Sequence, residues 1–471
     1  MRITTHTSDL GDMELSKDGE KLFYMAHFEK GYDLWVTDLR KKDTKLLSKL
    51  AVKNPTLQLS SDGKSLFLLA EGRIMKIDPE TGKTEPVNIS GEMTLNYAGE
   101  KEYIFDHSWR QIKEKFYVED MQGVDWDHYY KVYRKFLPYI NNNYDFAEML
   151  SELLGELNAS HTGCYYFGAP IPNGDRTAAL GIYYDYNYKG RGLKIDEVVE
   201  NGPLDKANSK IKAGDIIEEI DGNPITDSVD HYKYLNRKGG QFTLLSMYDP
   251  ATHTRWQETI KPIERQDENE LKYQRWVKAR RKEVDSLSGG RIGYIHVRAM
   301  DDESMRIVIE EALGRNLSKE ALIIDTRFNG GGNIHEPLSD FLAGKKYIDI
   351  IPHGQYVGSE PYNKWSKPSV VLIGEANYSD AHLFPIAYKI KGIGKTVGMP
   401  IAGTGTFVWW EEQIDPTLVF GMPMGGWRTM DGIFAENHQM EPDIKVRLDY
   451  NVMTNGRDQQ IEAAVAELLK K

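Results

Sequence analysis

The stretch "PSVVLIGEANYSDAHLFPIAYKI" spans residues 368–390. Its first half carries a β-branched run that suits a buried strand. Its second half sets Ala381, Phe384, Ile386, Ala387 and Ile390 at helical spacing. A strand therefore turns sharply into a helix at Ser379, and two readings of that serine stand side by side. Serine is a favoured N-cap, because its hydroxyl accepts from the orphan amides of a first helical turn. The same position suits a nucleophile, since those amides and the helix dipole stabilise developing negative charge.

Outward from this stretch, strands and helices alternate from about residue 290 to the end: "RIGYIHV", "SMRIVIEEALGR", "EALIIDTRF", "HEPLSDFLAG", "PSVVLIGEAN", "DAHLFPIAYKIKG" and "KTVGM". That alternation predicts an α/β architecture with mostly parallel pairing. Three stretches lie where its strands end, which is where ligand chemistry gathers in such folds. One is the Ser379-Asp380 turn. Another, "IIDTRFNGGGNIHE" (323–336), brings Gly330, Gly331 and Gly332, which let backbone amides approach a substrate without side-chain clash. Three glycines also suit a phosphate cradle or a plain loop, but no Lys-Ser/Thr pair follows, which argues against a nucleotide P-loop. The last is "AENHQMEPDIKV" (435–446), where Glu436 and Asn437 precede a Pro-Asp turn.

Composition narrows the function classes. The net charge of −12 argues against general nucleic-acid binding, which needs a basic surface. Hydrophobic content of 40% and charged content of 28% fit a globular chain, and 471 residues suffice for roughly three domains. No apolar run approaches the ~20 residues of a membrane span. The N-terminus "MRITTHTSDLGDMELSKDGE" has no apolar signal core, so the expectation is a cytoplasmic protein, or a periplasmic one if a leader has been removed. The single cysteine, Cys164, rules out an intrachain disulfide and a cysteine-rich zinc site.

Ahead of the α/β segment lie three others. "LSKDGEKLFYMAHFEKGYDLWVTDLRKKDTKLL" (15–47) is echoed by "LSSDGKSLFLLAEGRIMKIDPETGKTEPV" (59–87), with Asp18-Gly19 and Asp62-Gly63 44 residues apart. That is the size and turn chemistry of one four-stranded propeller blade, although a small β-meander reads equally well. "YIFDHSWRQIKEKFY" and "DWDHYYKVYRKFLPYI" then carry helical periodicity, and "DFAEMLSELLGELNASHTGCYYF" (145–167) reads as a third helix ending at "NASHTG". From about 172 to 264 short strands are expected. Within them, "LKIDEVVENGPLDKANSKIKAGDIIEEIDGNPI" (193–225) reads as strand, turn, short helix, turn and strand.

A serine nucleophile needs a base, because its free hydroxyl reacts poorly. His161, His335, His353, His382 and His438 are candidates, and local spacing does not choose among them. His382, three residues past Ser379, also reads as a solvated helical histidine.

Five ordered motifs choose instead: "ELNASHTG" (156–163), "GIYYDY…VVENGPLDKANSKIKAGDIIEEIDGNPI" (181–225), "IDTRFNGGG" (324–332), "NYSD" (377–380) and "ENHQMEPDI" (436–444). Together they resemble the tricorn type of the tail-specific (C-terminal processing) serine peptidase family, over about 370 residues from Glu102 onward. The resemblance implies Ser379 as nucleophile, His161 as general base, and Ser160 with Glu436 completing a tetrad. It implies an oxyanion hole made by the amide of Asp380 and one amide of the glycine run, with Gly331 favoured. Many relatives use a Ser–Lys dyad, whose lysine stands in a "GKG"-like stretch; here "AGTGTF" (402–407) puts Thr404 there, so only the tetrad is available.

The implied fold is a multidomain α+β chain. It comprises a β-rich segment of two blade-like repeats (1–97), a helical core subdomain (98–170), a PDZ-like domain (171–265) and a crotonase/ClpP-like α/β catalytic core (266–471). In the PDZ-like segment, "ALGIYYDY" would offer amides to a peptide C-terminal carboxylate, or the domain would act only as a spacer. The implied activity is peptide hydrolysis through an acyl-enzyme, with no metal and no cofactor. Its partners would be peptide or unfolded protein substrates, with homo-oligomers of this chain and no nucleic acid. An inactive peptide-binding scaffold and a crotonase-like acyl-CoA enzyme are the competing readings.

Overall fold

The computed structural model describes residues 8–28, 30–92 and 94–470. The chain forms two units, Met1–Leu95 and Asn96–Lys471.

In the first unit the 44-residue echo becomes two antiparallel four-stranded meanders. One runs β1 (Leu10–Leu15), β2 (Lys21–Phe28), β3 (Gly31–Asp38) and β4 (Asp43–Val52); the other runs β5 (Thr56–Leu59), β6 (Leu66–Ala70), β7 (Arg73–Ile77) and β8 (Thr84–Val87). The Asp-Gly turns are built alike. Asp18 Oδ1 accepts from the Ser16 hydroxyl at 2.6 Å and the Glu20 amide at 3.0 Å, and Asp62 Oδ1 from the Ser60 hydroxyl at 2.7 Å and the Lys64 amide at 3.0 Å.

The second unit opens with three helices, α1 (Tyr97–Lys115), α2 (Trp126–Arg134) and α3 (Asn143–Gly155). Each starts at an Asn or Asp whose side chain accepts from a first-turn amide: Asn96, Asp125 and Asn142. The helix expected over 145–167 stops at Gly155. The residues "GCYY" beyond it form strand β9 (Gly163–Tyr166) instead. The aromatic pair there has strand preference, and an antiparallel partner is available in β23 below.

Next comes the sheet of β10 (Ile182–Tyr184), β11 (Leu193–Val198), β12 (Ile216–Ile220), β13 (Asn223–Pro224), β14 (Thr243–Asp249) and β15 (Thr254–Ile260). The short helix expected in "NGPLDKANSK" does not form. Gly202, Pro203 and Asn208 lie in a run of turns, closed by amide bonds from Gly202 to Val199 and from Ser209 to Lys206.

Helix α4 (Arg265–Ser288) leads into the α/β layer. Its elements are β16 (Ile292–His296), α5 (Asp302–Leu313), β17 (Ala321–Asp325), α6 (His335–Leu342), the β18–β19 hairpin (Ile348–Ile350, Gly358–Glu360), β20 (Ser369–Ile373), α7 (Asp380–Ile390) and β21 (Lys395–Gly398). After them come β22 (Thr406–Glu412), β23 (Leu418–Gly426), β24 (Ile444–Lys445), α8 (Tyr450–Thr454) and α9 (Gln459–Leu468).

The parallel sheet has the order β16-β17-β20-β21-β24. All five residues of β17 and of β20 are buried, as a strand covered on both faces requires. Alternate side chains serve alternate layers. Ile295, Leu322, Ile324, Val371 and Ile373 pack with α5, α6 and α7, while Tyr294, Ile323, Val370, Leu372 and Val397 pack with α4 and α9.

At the carboxyl end of β17, Asp325 and Arg327 form a buried ion pair. The Arg327 guanidinium also donates to Asp458 at 2.9 Å and Gln460 at 2.8 Å, tying α9 to the sheet. Burial alone pushes the Asp325 carboxyl up, but Arg327 outweighs it and holds the carboxyl below its usual range. Asp458 also caps α9 through the amides of Gln460 and Ile461. Removing one member of a buried ionic network leaves an uncompensated charge. The Asp458→Ala variant should therefore lose about 3–5 kcal/mol in chemical denaturation, and a loss under about 1 kcal/mol would mean α9 is not anchored this way.

Candidate active site

Strand β20 ends at Ile373, and the chain reaches Ser379 through a turn braced by buried Asn377. That side chain accepts from the Gly374 amide at 3.1 Å and donates to Thr326 Oγ1 at 2.9 Å. Ser379 itself has φ 56° and ψ −122°, a backbone conformation unusual for a side-chain-bearing residue. Its hydroxyl makes no capping bond to α7. Instead Ser379 Oγ lies 2.9 Å from His161 Nε2. The N-cap reading of this serine is thereby removed.

Strand pairing brings His161 there. β9 runs antiparallel to β23, with Gly163 opposite Gly421, and β23 in turn pairs with β22, which begins at Thr406. A Cβ on Gly421 would stand 2.3 Å from the His161 carbonyl oxygen, so only glycine lets the two backbones approach this closely. Tyr378, just before the serine, accepts from the His161 amide through its hydroxyl at 2.8 Å, and its ring lies 4.8 Å from the imidazole, centroid to centroid.

On the far side of the imidazole, Nδ1 is 2.9 Å from Ser160 Oγ and 3.0 Å from Thr406 Oγ1. The Ser160 hydroxyl donates to Glu436 Oε2 at 2.8 Å, and the Ser160 amide donates to Oε1 of the same carboxylate at 2.5 Å. With the Ser160 proton directed to Glu436, its oxygen accepts from Nδ1–H, leaving the Nε2 lone pair facing Ser379. Burial lowers the His161 pKa to about 4 and raises that of Glu436, so the buried relay favours a neutral imidazole.

The glycine run packs against this turn. A Cβ on Gly331 would meet Ser379 Cβ at 2.6 Å and Tyr378 O at 2.8 Å, and Gly331 has φ +101°. Among the described residues the Asp380 N–H has no hydrogen-bond partner. The Gly331 N–H, however, donates to Asn329 Oδ1 at 2.9 Å. The expected second oxyanion donor is therefore engaged within its own loop, because the Asn329 side chain folds back to brace it.

The other histidines stand elsewhere. His335 Nδ1 bonds the Asp380 carboxylate, His438 Nδ1 lies 2.9 Å from the Glu436 carbonyl, and His353 is exposed in the turn between β18 and β19. His382 is not solvated but fully buried, because the first turn of α7 faces inward and its Nδ1 accepts from the Thr404 amide at 3.2 Å. Thr404 was significant in the sequence only for not being lysine, yet its Oγ1 accepts from the Ser379 amide at 3.0 Å. Thr406 and Tyr378 carried no spacing signal at all; Tyr378 has only its adjacency to the serine. The "ALGIYYDY" loop also differs from expectation: the Gly181 amide already donates to Glu268 Oε1 of α4 at 3.1 Å. Among the described residues no group of three or more His, Cys, Asp or Glu is arranged to hold a metal ion.

With this geometry in hand, comparison with known proteins is informative. Residues 97–155 match the tricorn protease C1 domain, and residues 291–446 match peptidase family S41. The chain resembles the C-terminal half of the tricorn protease. It is 28% identical over 428 residues to tricorn protease homolog 1 of Streptomyces coelicolor, covering 87% of this chain and 40% of the relative. It is 25% identical over 469 residues to the tricorn protease of Thermoplasma acidophilum, covering 95% of this chain and 42% of the relative. The chain thus spans about two fifths of the length of these curated relatives. The crystal structure of the tricorn protease shares the fold, with a TM-score of 0.80 at 22% identity over 95% of this chain and 46% of that one.

The close packing of Gly331 makes a contrast testable without substrate. Gly331→Ala forces a Cβ into the Ser379 turn and should cost about 1–3 kcal/mol in chemical denaturation. Gly330→Ala, which enters open space, should stay within about 0.5 kcal/mol of wild type. Equal costs would mean the glycine run does not pack on the serine as described.

Proposed function

We propose that this chain hydrolyses peptides or oligopeptides through an acyl-enzyme, with Ser379 as nucleophile and His161 as its base. The observation that carries the reading is the unbroken line of contacts from Ser379 Oγ through His161 and Ser160 to Glu436. Imidazole Nε2 accepts the serine proton as Oγ attacks the scissile carbonyl, and then returns it to the leaving amine. Ser160 and Glu436 hold the tautomer and stabilise the imidazolium that forms between those steps. The tetrahedral oxyanion rests on the Asp380 amide, with a second donor from the 330–332 loop once Gly331 exchanges its bond to Asn329 for the substrate.

The supporting domains are part of the same proposal. The two meanders of the first unit are propeller-blade-like repeats. The sheet of β10 to β15 is a PDZ-like domain, and the engagement of Gly181 by Glu268 favours its role as a spacer over that of a carboxylate receptor. Substrates are short or unfolded chains, and the working form is a homo-oligomer.

Ser379→Ala and His161→Ala should each lower kcat/KM on short fluorogenic peptides by about 10⁴-fold or more with folding intact. If Ser379→Ala keeps its activity, the proposed nucleophile is wrong. The pH profile tests the base. A neutral imidazole is the reactive form, and burial lowers the His161 pKa to about 4, so kcat/KM should stay high as pH falls through 6.5. Its acid limb should lie well below the ordinary imidazole range; a limb at or above the ordinary value of about 6.5 would contradict a buried base.

A further inference from the structure

Three hydrogen bonds close a ring around the backbone of Ser379. Its amide donates to Thr404 Oγ1 at 3.0 Å, the Thr404 amide donates to His382 Nδ1 at 3.2 Å, and the His382 amide donates to the Ser379 carbonyl at 2.8 Å. His382 is fully buried and Thr404 nearly so. With Nδ1 accepting, the imidazole proton sits on Nε2, which is buried without a partner. An orphaned buried donor is a cost that a leucine or phenylalanine in the same space would avoid. What only the histidine contributes here is the acceptor at Nδ1.

We propose that His382 is a positioning residue: its Nδ1 fixes the Thr404 backbone so that Thr404 Oγ1 holds the Ser379 amide in the strained turn facing His161. The segment after Thr404 carries the other half of the relay. The Gly405 and Thr406 amides favour the charged form of the Glu436 carboxylate, and Thr406 Oγ1 lies 2.8 Å from Ser160 Oγ and 3.0 Å from His161 Nδ1. One anchor on residues 404–406 therefore sets the nucleophile and the base in register. Burial keeps the imidazole neutral, as an accepting Nδ1 requires. The inference rests on Ser379 being the nucleophile.

The test compares His382→Leu, which deletes the acceptor, with His382→Asn, whose Oδ1 stands where Nδ1 stood. Thr404→Val and Thr404→Ser form a second pair, and His382→Leu/Thr404→Val closes the cycle. On short fluorogenic peptides, His382→Leu and Thr404→Val should each lower kcat about tenfold or more, with KM and the thermal midpoint little changed. His382→Asn and Thr404→Ser should stay within about threefold of wild type, and the double variant should be no worse than either single one. Hydrogen exchange over 376–383 gives a readout independent of turnover, and it should quicken in the Leu and Val variants alone. If His382→Leu fails to fold, the Thr404 pair decides. The proposal is overturned if Asn and Leu are equally impaired, if the single losses multiply, or if exchange is unchanged. Absence of wild-type turnover and of fluorophosphonate labelling at Ser379 would overturn the peptidase reading instead, and the exchange data would still decide the ring.

Discussion

The pairing of Gly163–Tyr166 with Leu418–Gly421 is the contact on which the site depends. It joins the helical segment to the β22–β23 hairpin, which lies in the chain between β21 and β24 of the parallel sheet. Its register puts His161 two residues before the first paired position. The core of helices α1 to α3 includes Cys164 of this strand and the inward residues Leu418, Phe420 and Met422 of its partner. A shift by one residue would turn the His161 side of the strand away from the serine. Gly421 makes the register specific, because a side chain there would collide with the His161 carbonyl.

The electrostatic design follows from burial. A lysine base would have to be kept neutral in this setting, whereas imidazole is neutral at ordinary pH and burial strengthens that preference. Glu436 is also buried, and an isolated carboxylate there would be costly. It is not isolated: the Ser160 hydroxyl and amide both donate to it, and the amides of Gly405 and Thr406 favour its charged form. One serine thus both solvates the carboxylate and orients the imidazole.

The sheet was readable because its strands are apolar throughout, "ALIID" and "SVVLI" above all, and a strand buried on both faces leaves that mark. That Ser379, His161, Ser160 and Glu436 stand together was readable through ordered motifs rather than through any physical property of each residue. The aromatic "GCYYF" read as a continuation of a helix because period cannot assign so short an apolar run. Only the partner strand, more than 250 residues away, decides it. His382 read as a solvated helical residue because helical spacing gives a face but not which face is covered. Thr404 and Thr406 were not readable at all. A threonine beside glycines has no period, and its role is set by what the fold places 25 or 246 residues away.

Ser379 occupies a capping position without capping, and the consequence reaches the first residues of α7. A serine that bonded the first turn of α7 would commit its hydroxyl to the Ala381 or His382 amide. Here the backbone turn at φ 56° directs the hydroxyl to His161, and among the described residues the Asp380 N–H is unpaired. The Asp380 carboxylate does not close on its own helix either. It accepts from the amides of Ile334 and His335 at the start of α6, so it draws the glycine loop's far end against the nucleophile turn. The N-terminus of α6 is thereby tied to the first residue of α7, and the partial positive charge at the start of α6 is met by the Asp380 carboxylate rather than left open.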